Sequence, residues 1–172
     1  MVLSDLVRTS SLRTALVVLA LSCTALAVAA PSAKLFRSPD YRVVAVDPPT
    51  GWELSASPPS SRLLASWSHR DGAKLTLAAE RSAVTDPEKL FLQSRSVLQA
   101  QGWTVGSVEK QAGRVSVEAT LDHGRRIARQ LYAVEQGFAY VLTMVAPADQ
   151  ADLRARDFDD TLATMRLGAP AK

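Results

Sequence analysis

In AKLTLAAE, residues 73–80, Ala73, Leu75, Leu77 and Ala79 alternate with Lys74, Thr76, Ala78 and Glu80, the period of two that marks a strand with one buried face. The run LLASWSH before it is joined by RDG, so Asp71–Gly72 supplies the tight turn of a hairpin. The period then changes. In TDPEKLFLQSRSVLQAQG, Leu90, Phe91, Ser94, Val97 and Leu98 share one stripe, which predicts a helix over 87–101 lying on a sheet. Pro87 suits its first turn behind an Asp86 cap, Thr85 and Glu88 offer a capping box instead, and Gly102 closes it.

Four strands are expected next. WTVGSVEKQ, RVSVEATL, RRIARQLYAVE and FAYVLTMVA are separated by the glycine turns AG, DHG and QG. The last is apolar at nearly every position from Phe138 to Val145, as a central strand covered on both faces would be. Ala151, Ala155, Phe158, Leu162 and Met165 then recur at helical spacing, predicting a second amphipathic helix over 150–166 with Asp152, Arg156 and Asp160 on another face. Earlier, YRVVAV, the turn DPPTG and WEL predict a strand, a proline turn and a return. SASPPSSR predicts a loop, and PSAKLFRSPD, with two prolines and no period, a lead-in tether.

The apolar run TALVVLALSCTALAVAA, residues 14–30, follows Arg8 and Arg13 and ends in Ala27-Val28-Ala29. Basic flank, apolar middle and a small-x-small end are the marks of a secretory signal peptide. Two other fates are open to Cys23, the only cysteine in the chain. A lipoprotein would carry acyl chains there, but Ala20 stands where leucine is preferred and the run stays apolar after the cysteine. A retained span is poorly served by a run so short and alanine-rich, at the lower limit for crossing hydrocarbon. Residues 1–29 are therefore expected to be a signal peptide, 30–40 a flexible lead-in, 41–168 a single domain and 169–172 a tail. The fold class is α+β, an antiparallel sheet of about six to seven strands covered by helices. Loss of Cys23 leaves no thiol for a nucleophile, zinc site or disulfide. A net charge of +3 on 172 residues gives no electrostatic footprint for nucleic acid.

PPTGW, the helix ending LQAQGW, and the closing run ARQLYAVEQGFAYVLTMVAPADQADLRARDFDDTLATMRL together resemble the PsbP-like, DcrB-like superfamily of small envelope and thylakoid-lumen proteins. The resemblance covers Tyr41 to Leu167, with Gly137, Tyr140 and Phe158 matching its pattern. It implies an antiparallel sheet between helices, an α/β/α sandwich outside the cytosol. No functional residue comes with it, because members differ widely in role.

Candidate chemistry is sparse. His69 and His123, the only histidines, stand at hairpin ends in SHRDG and LDHGRR. A nearby aspartate invites a general-base role for each, yet two isolated turn histidines are more simply solvated polar residues. Their spacing supplies no metal shell, there is no GxSxG around any serine, and no cofactor is implied. Asp157, Asp159 and Asp160 interleave with Arg154, Arg156 and Arg166 as a solvated ion-pair face, and Glu118 is expected opposite Arg129 across a hairpin. Trp52, Trp67 and Trp103 adjoin turns or strand ends, where tryptophan caps a core; lining a binding cleft is the other reading.

The expectation is an exported, non-catalytic envelope protein, periplasmic or extracellular. It would bind a protein or a small apolar ligand through a sheet edge or the Pro58–Pro59 loop, with Trp52 near the contact. It would meet the membrane only if lipidated at Cys23 or if the signal is retained. The alternative is a small extracytoplasmic hydrolase using His69 or His123. Intact mass of the protein from the envelope fraction is expected to correspond to a chain beginning at Ala30. A diacylated chain beginning at Cys23, or the full-length mass, would show that another fate prevails.

Overall fold

The computed structural model describes residues 35–55, 62–111 and 113–168. Strand β1 (Phe36–Ser38), β2 (Val43–Val46) and β3 (Trp52–Leu54) lead into the hairpin of β4 (Leu63–His69) and β5 (Lys74–Arg81). Helix α1 (Pro87–Ala100) follows. The meander β6 (Thr104–Gln111), β7 (Arg114–Leu121), β8 (Arg126–Glu135) and β9 (Phe138–Pro147) comes next, then α2 (Ala151–Thr164) and β10 (Arg166–Leu167). Seven strands form one antiparallel sheet in the order β3-β4-β5-β9-β8-β7-β6. The other three make a small sheet, β1-β2-β10.

The hairpin and the meander form where alternation and glycine turns place them, and β9 is central, paired with β5 on one side and β8 on the other. Its two faces feed two cores. Phe138, Tyr140, Leu142, Met144 and Ala146 join Trp52, Trp67, Leu75, Leu77 and Phe158, while Ala139 and Val141 meet Leu90 and Phe91 of α1 with Tyr132. Buried polar side chains on the α1 side satisfy one another, since Tyr132 donates to Gln130 Oε1 at 2.7 Å and Gln130 Nε2 donates to Thr143 Oγ1 at 3.2 Å. Burial pushes the Tyr132 phenol well above its ordinary pKa, with a smaller opposing contribution from a hydrogen bond to Ser94. Helix α1 starts on the aspartate cap, Asp86 Oδ1 accepting from Glu88 N at 2.9 Å.

Three expectations need correction. WEL does not return on YRVVAV: β3 pairs with β4 in the large sheet, whereas β2 lies between β1 and β10 in the small one. A short apolar strand carries no mark of which sheet it will join. The lead-in is shaped at its far end, because Phe36–Ser38 forms β1 and Pro39–Tyr41 a 3₁₀ turn. Phe36 also packs edge-on against Trp67, with ring centroids 6.1 Å apart. The inner face of α2 is rotated from the apolar stripe, for Arg154, Phe158 and Thr161 are its buried residues and Ala151, Ala155 and Leu162 are only partly covered.

Phe158 is 3% exposed, whereas the Asp159 side chain is 65% exposed and reaches Arg129 at only 3.8 Å. Phe158→Ala is expected to cost about 3–5 kcal/mol, and Asp159→Ala under about 0.5 kcal/mol. Denaturant melts of the two variants check the assignment.

Candidate functional site

The side chains with the richest chemistry meet at one corner, where the proline turn, the β4–β5 hairpin and α2 touch. Asp47 anchors the turn: its backbone N–H donates to Thr164 Oγ1 at 3.2 Å, and the same hydroxyl lies 3.0 Å from the Asp47 carbonyl. Gly51 follows with φ of +102°, and a Cβ added there would lie 2.9 Å from His69 Nε2. Only glycine allows both that backbone and that approach. Trp52 then enters β3, opposite His69 in the register, with ring centroids 5.6 Å apart.

His69 is therefore held at both edges. One edge faces Gly51; at the other, Nδ1 lies 2.9 Å from Asp71 Oδ1. Asp71 also accepts from Ala73 N at 3.0 Å, which shapes the turn. Its second oxygen lies 3.0 Å from Arg154 Nε. That contact is an ion pair with poor hydrogen-bond alignment, since neither atom has a hydrogen-bond partner. Arg154 Nη1 donates to Asp157 Oδ2, and the same carboxylate oxygen accepts from the Trp52 indole at 2.9 Å. Burial raises the Asp71 pKa, but the Ala73 N–H, the His69 hydrogen bond and the Arg154 charge outweigh it, and the carboxyl ends below its ordinary value of 3.8.

This corner corrects the reading of Arg154 and Asp157 as a solvated face. The Arg154 side chain is 7% exposed and that of Asp157 15%. Their partners Asp71 and Trp52 lie far off in sequence, so helix periodicity alone cannot reveal them. Trp52 itself is 3% exposed and offers no ring to a partner. Trp67 and Trp103 are buried too. Pro58, Pro59 and Cys23 lie outside the described residues. His123 is remote from the corner, on the exposed β7–β8 turn, with φ of +57° and no hydrogen bond or ion pair among the described residues. That turn runs four residues, because Leu121 pairs with Arg126. Glu118 does oppose Arg129, the two side chains meeting at 3.4 Å.

Chemically, the corner binds elements together. Ser68, the nearest hydroxyl in sequence, points to the opposite face of β4 from His69 by strand alternation. Among the described residues no three His, Cys, Asp or Glu side chains gather to hold a metal, and no helix is long and apolar enough to cross a membrane. A groove of about 350 Å³ runs between α2 and the β6–β8 part of the sheet. Arg114, Glu118, Arg129 and Asp159 line it beside Phe158 and Leu162, a charged setting for an apolar ligand.

No family model matches the chain, and no curated protein matches it in sequence. Among solved structures it is similar to the cyanobacterial PsbP, CyanoP, of Synechocystis sp. PCC 6803, with a TM-score of 0.57 at 14% identity over 87% of this chain and 99% of that one. The fold is PsbP-like. LpqN of Mycobacterium tuberculosis, a protein involved in cell envelope biogenesis, is similar with a TM-score of 0.52 at 17% identity, over 73% of this chain and 82% of that one. A Bacteroides thetaiotaomicron protein gives 0.50 at 10% identity, over 83% of this chain and 51% of its own. What this chain shares with all three is architecture.

Two expectations follow from the corner. His69→Gln loses the ring packing on Trp52 and is expected to lower stability by about 1–3 kcal/mol, while His123→Gln stays within about 0.5 kcal/mol; denaturant melts separate them. Asp71 has a folded-state pKa below its unfolded one, so its contribution is complete above about pH 4 and is lost as pH falls through the depressed value. Asp71→Asn is accordingly expected to be less stable at neutral pH and to lose less on acidification, as acid-unfolding curves would show.

Proposed function

We propose that the chain is an exported, non-catalytic accessory module of the cell envelope, periplasmic or extracellular, that works by binding a protein. The observation that carries this reading is the commitment of His69. A general base needs a ring nitrogen open to substrate, whereas Asp71 engages Nδ1 of this imidazole, the Nε2 edge faces Gly51, Trp52 packs on the ring and the side chain is 18% exposed. The fold supports the same reading, since LpqN, which shares it, is involved in cell envelope biogenesis. Export rests on the Arg-flanked apolar run ending at Ala29, and attachment to the membrane follows only if Cys23 is lipidated or the run is retained.

The partner contact is assigned to the Pro58–Pro59 loop, where stiff prolines lower the ordering cost of presenting a surface. Trp52, being buried, has no part in it. A photo-crosslinking residue at Ser57 or Ser60 is expected to give a discrete protein adduct in the living envelope, and one at Arg95 on the exposed side of α1 is expected to give none. A His123→Gln chain that keeps its melting curve but no longer complements a deletion strain would overturn the non-catalytic reading in favour of a hydrolase.

A further inference from the structure

Two residues beside the β8–β9 turn adopt backbone that glycine, asparagine or aspartate would normally occupy. Gln136 has φ of +49° in the hairpin turn, and Arg42, between the 3₁₀ turn and β2, has φ of +53°. Left-handed backbone at such residues carries a cost. Here the two strained residues touch, Arg42 Nη1 donating to Gln136 Oε1. Arg42 is fixed further through its backbone, its N–H donating to Pro39 O and its carbonyl accepting from Gly168 N, each at 2.9 Å.

A second arginine stands beside it. Arg81 ends β5 directly opposite Phe138 of β9, and its guanidinium carbon lies 5.4 Å from the Phe138 ring centroid, with that of Arg42 at 5.9 Å. Stacking on one ring pre-orders both forks, so less freedom is lost when they engage a ligand. Neither guanidinium has a carboxylate within ion-pair distance among the described residues, whereas Arg62, Arg129 and Arg154 all do. Both line the same open cavity of about 580 Å³, in which Asp40 is the sole acidic lining residue. Glu135, next to Gln136, brings a second carboxylate to the neighbourhood of Arg42, so attraction for an anion rests on the two ordered forks and not on an excess of charge.

We propose that this cavity is a phosphoryl-binding site, with Arg42 and Arg81 gripping the oxygens of one tetrahedral anion and Gln136 positioning Arg42. Planar guanidinium forks match phosphate oxygens in geometry and charge. The phosphoryl group belongs either to a lipid headgroup or to a soluble phosphate, and recognition uses the same two residues in both cases. The site is independent of the protein-binding reading above, which rests on neither arginine.

Protein purified from the envelope fraction tests it with two probes. Inorganic phosphate is titrated while the arginine Nε–H resonances are followed by NMR, and vesicles of phosphatidylglycerol with phosphatidylcholine are compared with phosphatidylcholine alone by co-sedimentation. Saturable shifts of Arg42 and Arg81 with phosphate support a soluble ligand; retention on the phosphatidylglycerol vesicles without such shifts supports a headgroup. In either arm Arg81→Gln, an exposed strand-end change, is expected to weaken binding about tenfold, and Arg81→Lys to restore only part of it because the fork is lost. Absence of saturable binding to both probes overturns the proposal, as does unchanged binding in Arg81→Gln with an unaltered melting curve.

Discussion

A guanidinium taken out of water is strongly unfavourable unless carboxylates meet it, and Arg154 is met by Asp71 on one side and Asp157 on the other. Those two acids come from different layers, one from a hairpin of the large sheet and one from the helix above it. The charge can be balanced only when helix and hairpin are seated together. Trp52 closes the arrangement through its bond to Asp157, so the chain leaving the small sheet is held at the same point. Much else in the architecture follows: where α2 lies, how the proline turn crosses from one sheet to the other, and why glycine precedes tryptophan.

That seating explains how two helices and a small sheet cover seven strands. On the α1 side the helix packs over β6, β7 and β8, where Val115, Val117 and Ala119 face it. On the other side α2 and the small sheet share the work, burying Val43 and Val46 with Trp67 and Phe158. The strands left partly uncovered carry polar side chains on those faces, Arg114, Ser116 and Glu118 on β7 and Ser66 and Ser68 on β4. Alternation thus records the cover each strand receives and not merely that it is a strand.

Much of this was legible in the residues. The hairpin around Asp71–Gly72, the aspartate-capped helix, the four-strand meander and the central place of Phe138–Val145 all follow from period and turn chemistry, because those signals are local. What failed to show was tertiary. The apolar stripe of α2 points to Ala151, Ala155 and Leu162, yet burial shifts toward Arg154, whose partner Asp71 lies on another segment, and toward Thr161, whose hydroxyl donates to the Asp157 carbonyl one turn earlier in the same helix. β10 is two residues long and has no pattern of its own. The reading of His69 as a solvated turn residue missed its packing for the same reason: Gly51 and Trp52 are neighbours only after the chain folds.

The three-stranded sheet joins the two ends of the domain, with β2 taken up between β1 and β10. More than a hundred residues separate β2 from β10, so one edge of Val43–Val46 has no partner strand until Arg166–Leu167 has been made. The meander and α1 need only near neighbours and can nucleate early, since short loops close at low entropic cost. Pairing of β10 with β2 spans the widest sequence separation of any strand pair in the two sheets. Closing so long a loop carries the largest chain-entropy cost in the domain, and the two-residue β10 answers it with little more than its pairing to Val43 and Ala45.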